Sequence, residues 1–110
     1  MSIFLEVMKE ELERNLYKQD AFIRQINELP RGYLSRCLID GKIYIYRKKR
    51  INKKIVSEYI GIPDDENVKK AENDRAQYLE LKHAISVLKE EEKRLRRAIK
   101  DYEKLWKRND

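Results

Sequence analysis

Glycine and proline are scarce. Gly32, Gly41, Gly61, Pro30 and Pro63 are the only ones in 110 residues, which leaves no room for a glycine-rich phosphate loop. A single cysteine, Cys37, excludes an internal disulfide, and with no Cys or His at ligand spacing it gives no reason to expect zinc. The one histidine, His83, stands among Leu81, Lys82 and Ala84 and reads as a solvated or seam-edge side chain. Acidic clusters such as Asp64-Asp65 and Glu90-Glu91-Glu92 read as helix capping and solvated helix face rather than as a general acid and base. These absences set the expectation of a protein that is not an enzyme and takes no cofactor or metal. No apolar stretch approaches the roughly 20 residues that span a bilayer, and residues 1–30 carry no pattern of a secretory signal. A cytoplasmic protein with no membrane partner is expected, and the length suits a single domain, 1–110.

Charge, in contrast, is abundant. Charged residues make up 42% of the chain, and apolar residues in clear periods make up 41%, so a fold is expected in place of disorder. The formal net charge of +6 is unevenly spread. Residues 31–54 hold nine basic residues against Asp40 alone, whereas 1–30 carry four basic and six acidic residues and 55–110 carry thirteen of each. All the excess lies in the middle, where a field of one sign raises the encounter rate of an anionic partner.

Three kinds of periodicity divide the chain. Leu5, Met8, Leu12, Leu16, Ile23 and Ile26 form the apolar stripe of a first helix, 2–29, with Gln19 on the same stripe. Ser2 can cap it, and Pro30 disfavours helix at Leu29. Residues 31–61 alternate like strands, in runs from Tyr33 to Ile39, Lys42 to Arg50 and Lys54 to Ile60. Asp40-Gly41 is a strong two-residue hairpin signal and Asn52-Lys53 a weaker one, so a three-stranded antiparallel meander is expected. After Pro63 the acids Asp64, Asp65 and Glu66 announce a helix over 64–108, uninterrupted by Gly or Pro. The fold class that follows is α+β, α-βββ-α, with a long helix before the meander and a very long one after it in the chain.

The last helix carries a coiled-coil seam. From Tyr78 the positions alternate by three and four through Leu81, Ile85, Leu88, Glu92, Leu95, Ile99, Tyr102 and Trp106. A three-stranded sheet cannot cover so long a stripe, and the shorter first helix covers only part of it. The expected oligomer or partner interface is therefore Leu81, Ile85, Leu88, Leu95, Ile99, Tyr102 and Trp106, serving either a homodimer through the long helices or a helical hairpin whose end is reserved for another protein. Glu92 on the seam departs from the apolar rule, and one polar seam residue can fix register at some cost in stability.

Strand alternation assigns two faces to the meander. Leu34, Leu38, Ile43, Ile45, Val56 and Ile60 make the side suited to a core, which leaves Tyr33, Tyr44, Tyr46 and Tyr59 outward, rimmed by cations. Exposed aromatics within positive charge suit stacking on unpaired bases, while a basic two-stranded ribbon also suits the major groove of a duplex. The bland account is that tyrosines are good strand formers whose rings pack while their hydroxyls stay wet. The candidate nucleic-acid-binding residues are Arg36, Lys42, Tyr44, Tyr46, Arg47, Lys48, Lys49, Arg50, Lys53 and Lys54.

Residues 29–61, read as LPRGYL, DGKIYIY and KIVSEYIG, resemble a small uncharacterised prokaryotic family with the pattern LPxGxL, GKxYxY and SxYIG ahead of a charged helix. The middle segment is also similar to the opening hairpin of some insertion-sequence transposases. The resemblance implies a mobile-element or phage context and carries over no catalytic residue. The expected function is non-enzymatic nucleic-acid binding or regulation. The alternative is a small phage- or mobile-element-borne inhibitor or adaptor that binds a host nucleic-acid-processing effector by protein contact.

Overall fold

The computed structural model of the protein describes residues 2–108. Helix α1 (Ile3–Glu28) is followed by strands β1 (Tyr33–Ile39), β2 (Lys42–Ile51) and β3 (Lys54–Gly61) and by helix α2 (Glu66–Arg108), the α-βββ-α order read from the periodicities. The chain forms two compact units. One is Asn27–Glu80, which holds the sheet, and the other is Met1–Ile26 with Leu81–Asp110, helical over Ile3–Ile26 and Leu81–Arg108; α2 contributes to both.

In the sheet unit each strand pairs with its neighbour in sequence, in the order β1-β2-β3. Both hairpins close through two residues of positive φ: Asp40 (51°) and Gly41 (77°), then Asn52 (50°) and Lys53 (67°). Such turns match the twist of the strands they join. The turn read as weaker thus has the same form as the strong one, although Lys53 must hold a left-handed conformation that costs an L-residue about 1 kcal/mol. Ile60 is the extra residue of a bulge, since Tyr46 faces Tyr59 while Ile45 faces Gly61.

Helix α2 begins two residues later than the acids suggest. Asp65 N–H donates to the Ile62 carbonyl (3.0 Å), which makes Pro63 and Asp64 the middle of a turn. The Asp65 carboxylate then accepts the Ile62 N–H at 3.2 Å. Beyond this turn Val68 and Ala71 are buried, as is Ile45 on the core-suited side of the sheet. Arg75 donates to the Gly32 carbonyl at 2.8 Å, which ties α2 to the approach to β1.

In the helical unit α1 runs antiparallel to α2. The hydroxyls of Ser2 and Tyr102 share a 2.7 Å hydrogen bond, and Asn15 Nδ2 donates to the Leu88 carbonyl at 2.9 Å. Along the hairpin Leu5, Met8, Leu12, Gln19, Phe22 and Ile26 of α1 and Leu81, Ile85, Leu88, Leu95, Ile99 and Tyr102 of α2 are buried or half-buried. Leu5, Leu81 and Leu88 are buried, each worth about 2 kcal/mol relative to exposure.

Two features of the expected stripe change. Leu16 and Ile23 are exposed, and Asn15 and Phe22 hold the seam in their place on either side of the expected Gln19, with Asn15 only 2% exposed. A seam that alternates by three and four passes from Leu12 to residues 15, 19 and 22, whatever their polarity. The seam of α2 from Leu81 to Tyr102 meets α1 of the same chain, so those residues line the inside of a hairpin. Of the seven expected at an intermolecular interface, Trp106 alone is an exposed side chain, at 48%.

The polar seam residues are fully connected. Gln19 Nε2 donates to Asn15 Oδ1 (2.6 Å) and to Glu92 Oε1 (2.9 Å), while Arg96 Nε donates to Glu92 Oε2 (2.7 Å). The hydrogen bond from Gln19, then that from Arg96, holds the Glu92 carboxyl below the usual glutamate range, against a smaller opposing effect of desolvation. No buried side-chain N or O among the described residues lacks a hydrogen bond.

Candidate nucleic-acid interface

Strand pairing decides where each candidate residue points. On β2 the even positions Lys42, Tyr44, Tyr46, Lys48 and Arg50 share one face with Tyr33, Cys37 and Tyr59. Tyr59 packs edge-on to Tyr46, with ring centroids 5.5 Å apart, and lies tilted against Tyr44 at 6.2 Å. Such tilted pairs are favoured by the ring quadrupole. Tyr59 and Tyr33 are about half exposed, whereas Tyr44 and Tyr46 are partly covered.

The opposite face carries Arg36, Ile45, Arg47, Lys49 and Glu58, and near its far end Lys54 beside Ile51. A cleft of about 260 Å³ on this side is lined by Arg47, Glu58 and Ile60 from the sheet and by Asn67, Lys70 and Asp74 from α2. The first turns of α2 therefore lie toward the aliphatic face, and the tyrosine cluster faces outward.

The ten candidate residues do not form one patch. Tyr44 and Tyr46 are brought together with Lys48 and Arg50, but the cations divide between the two faces, and Lys53 sits in the turn. Lys42 lies at the Asp40-Gly41 end, away from the ribbon, and Arg36 lies opposite Ile45 in mid-sheet, on the face of Arg47. Arg47 is compensated by Glu58, its cross-strand neighbour, at 3.5 Å, and its side chain is only 18% exposed. Lys48, Lys49, Arg50, Lys53 and Lys54 make no ion pair among the described residues.

Strand length is the signal that alternation alone did not exploit. β1 pairs with β2 only as far as Tyr33 opposite Lys48, whereas β2 runs on to Ile51 and β3 returns from Lys54. Residues 49–56 therefore form a two-stranded ribbon beyond the edge of β1, every residue of it exposed. Gly32 marks the base of the overhang. A Cβ there would lie 2.5 Å from the Lys48 carbonyl oxygen, so only glycine lets the chain pass so close to β2. Of the residues assigned to the core side, Leu38, Ile43 and Val56 are exposed, because the described part of α2 that packs on this sheet covers only its Ile45 region, and Ile51 and Ile55 on the ribbon are exposed as well.

Cys37 is half-buried and His83 exposed. No helix among the described residues is long and apolar enough to cross a membrane. No protein-family model, curated protein or solved structure matches the chain.

Proposed function

We propose that the chain is a non-enzymatic nucleic-acid-binding or regulatory protein whose meander makes the contact. The observation that carries this reading is the run from Lys48 to Lys54. It contains five cations without an ion pair among the described residues, and residues 48–57 include no acid. Uncompensated charge on an exposed, hydrogen-bonded frame is held ready for phosphates and releases their counterions on binding. The outward tyrosines add flat, polarisable surface beside it. Five phosphate contacts give a slope of about −4.5 for log affinity against log salt, hence a loss of several hundredfold between 50 and 200 mM. Fluorescence anisotropy of labelled oligonucleotides measures that slope. A flat salt response, or no binding at 50 mM, would remove the reading.

A second reading, a small phage- or mobile-element-borne inhibitor or adaptor of a host effector protein, draws support from the far end of the helical hairpin. There Ile3, Phe4, Leu105 and Trp106 are exposed within about a turn of the Ser2–Tyr102 hydrogen bond, and clustered apolar side chains favour protein contact.

A further inference from the structure

Granted that the meander binds nucleic acid, we propose that its ligand is double-stranded B-form DNA, entered through the major groove by the β2–β3 ribbon of residues 49–56. Three observations converge on this. The ribbon extends three residues past the last pairing with β1, roughly 10 Å at 3.3 Å per residue. That matches a major groove about 8.5 Å deep and about 12 Å wide, which admits a two-stranded ribbon.

The second observation is the division of charge. Lys49 and Lys54 lie on one face of the ribbon, Arg50 and, at its base, Lys48 on the other, and Lys53 at the tip. A surface that docks flat on its ligand would use one face and leave the other set in solvent. A finger between two phosphate walls uses both.

The third is the state of the aromatic face. Tyr46 is engaged edge-on and Tyr44 tilted with Tyr59, and both are partly covered, so of the four outward tyrosines only Tyr33 and Tyr59, each about half exposed, offer much ring surface to unpaired bases. The deep, narrow major groove of A-form RNA does not accept side chains in this way, so duplex RNA is disfavoured.

The test uses the full chain and a fluorescein-labelled 16-base-pair DNA duplex, the same sequence as a single strand, and the matching RNA duplex. Two double variants divide the faces: Lys49→Gln with Lys54→Gln, and Lys48→Gln with Arg50→Gln. All four positions lie outside the apolar core, and circular dichroism checks that each variant remains folded. Each variant is expected to weaken duplex DNA binding about 60-fold at 0.1 M salt and to reduce the salt slope by about 1.8, because two phosphate contacts are lost in either case. Duplex binding that depends on one face only overturns groove insertion. Tighter binding to single strands or to duplex RNA overturns the ligand assignment while leaving the nucleic-acid reading intact. Binding to none of the three removes both.

Discussion

The fully connected polar layer in the helical hairpin makes a quantitative demand on Asn15. Replacing it by alanine removes the 2.9 Å bond to the Leu88 carbonyl and the 2.6 Å bond from Gln19. Each is worth about 1 kcal/mol net. The vacated volume at a site 2% exposed adds a further cost of about 1 kcal/mol. Leu88 lies inside α2, whose own ladder supplies its carbonyl with a donor, and Gln19 keeps Glu92, so no buried group is orphaned. Asn15→Ala is therefore expected to cost about 2 to 3 kcal/mol. Asn15→Leu loses the same hydrogen bonds but fills the seam, and its apolar burial of about 2 kcal/mol brings it close to neutral. In urea unfolding followed by helix ellipticity, with a slope of roughly 1.5 kcal/mol per molar, the alanine variant should unfold about 1.5 to 2 M earlier. A loss below about 0.5 kcal/mol for alanine, or equal losses for alanine and leucine, would show that Asn15 is not held as described.

Two further outcomes follow from local geometry. Gly32→Ala sets a methyl 2.5 Å from backbone and asks alanine to hold a φ of 111°, so a loss of more than about 2 kcal/mol is expected, read as a lowered thermal midpoint. The lowered carboxyl of Glu92 contributes stability that is fully present above the ordinary glutamate range and is lost as pH falls through its folded-state value. Glu92→Gln should therefore flatten the stability profile as pH falls below the ordinary glutamate range, and an unchanged profile there would refute the role given to Gln19 and Arg96.

The order of elements was legible because each was marked twice, by period and by punctuation. Asp40-Gly41 marked a turn, Pro30 a stop, and the unbroken run after Glu66 a long helix. The seam of α1 was misread where polarity and geometry diverge. Tracking apolar residues led from Leu12 to Leu16, while strict alternation by three and four led to Asn15, Gln19 and Phe22. The clue lay in the noticed exceptions, Gln19 and Glu92, since a polar residue on each seam stabilises the other when the two helices meet. The site was legible as composition but not as a surface. Nine cations in residues 31–54 are evident from the sequence, yet only the strand registers separate Lys49 and Lys54 from Lys48 and Arg50, and pair Arg47 with Glu58.

The distance in sequence between the two halves of the hairpin has a consequence for synthesis. Asn15 meets a residue 73 positions later, so at 5 to 20 residues per second α1 emerges from the ribosome roughly 4 to 15 s before the stretch that completes it. The meander, whose strands each join the one just made, closes within that interval at little loop-entropy cost. Asn15 and Gln19 interrupt the waiting stripe, leaving Leu5, Met8 and Leu12 separated from Phe22 and Ile26. The same polar pair that later aligns the helices thus limits how sticky the nascent chain is while it waits.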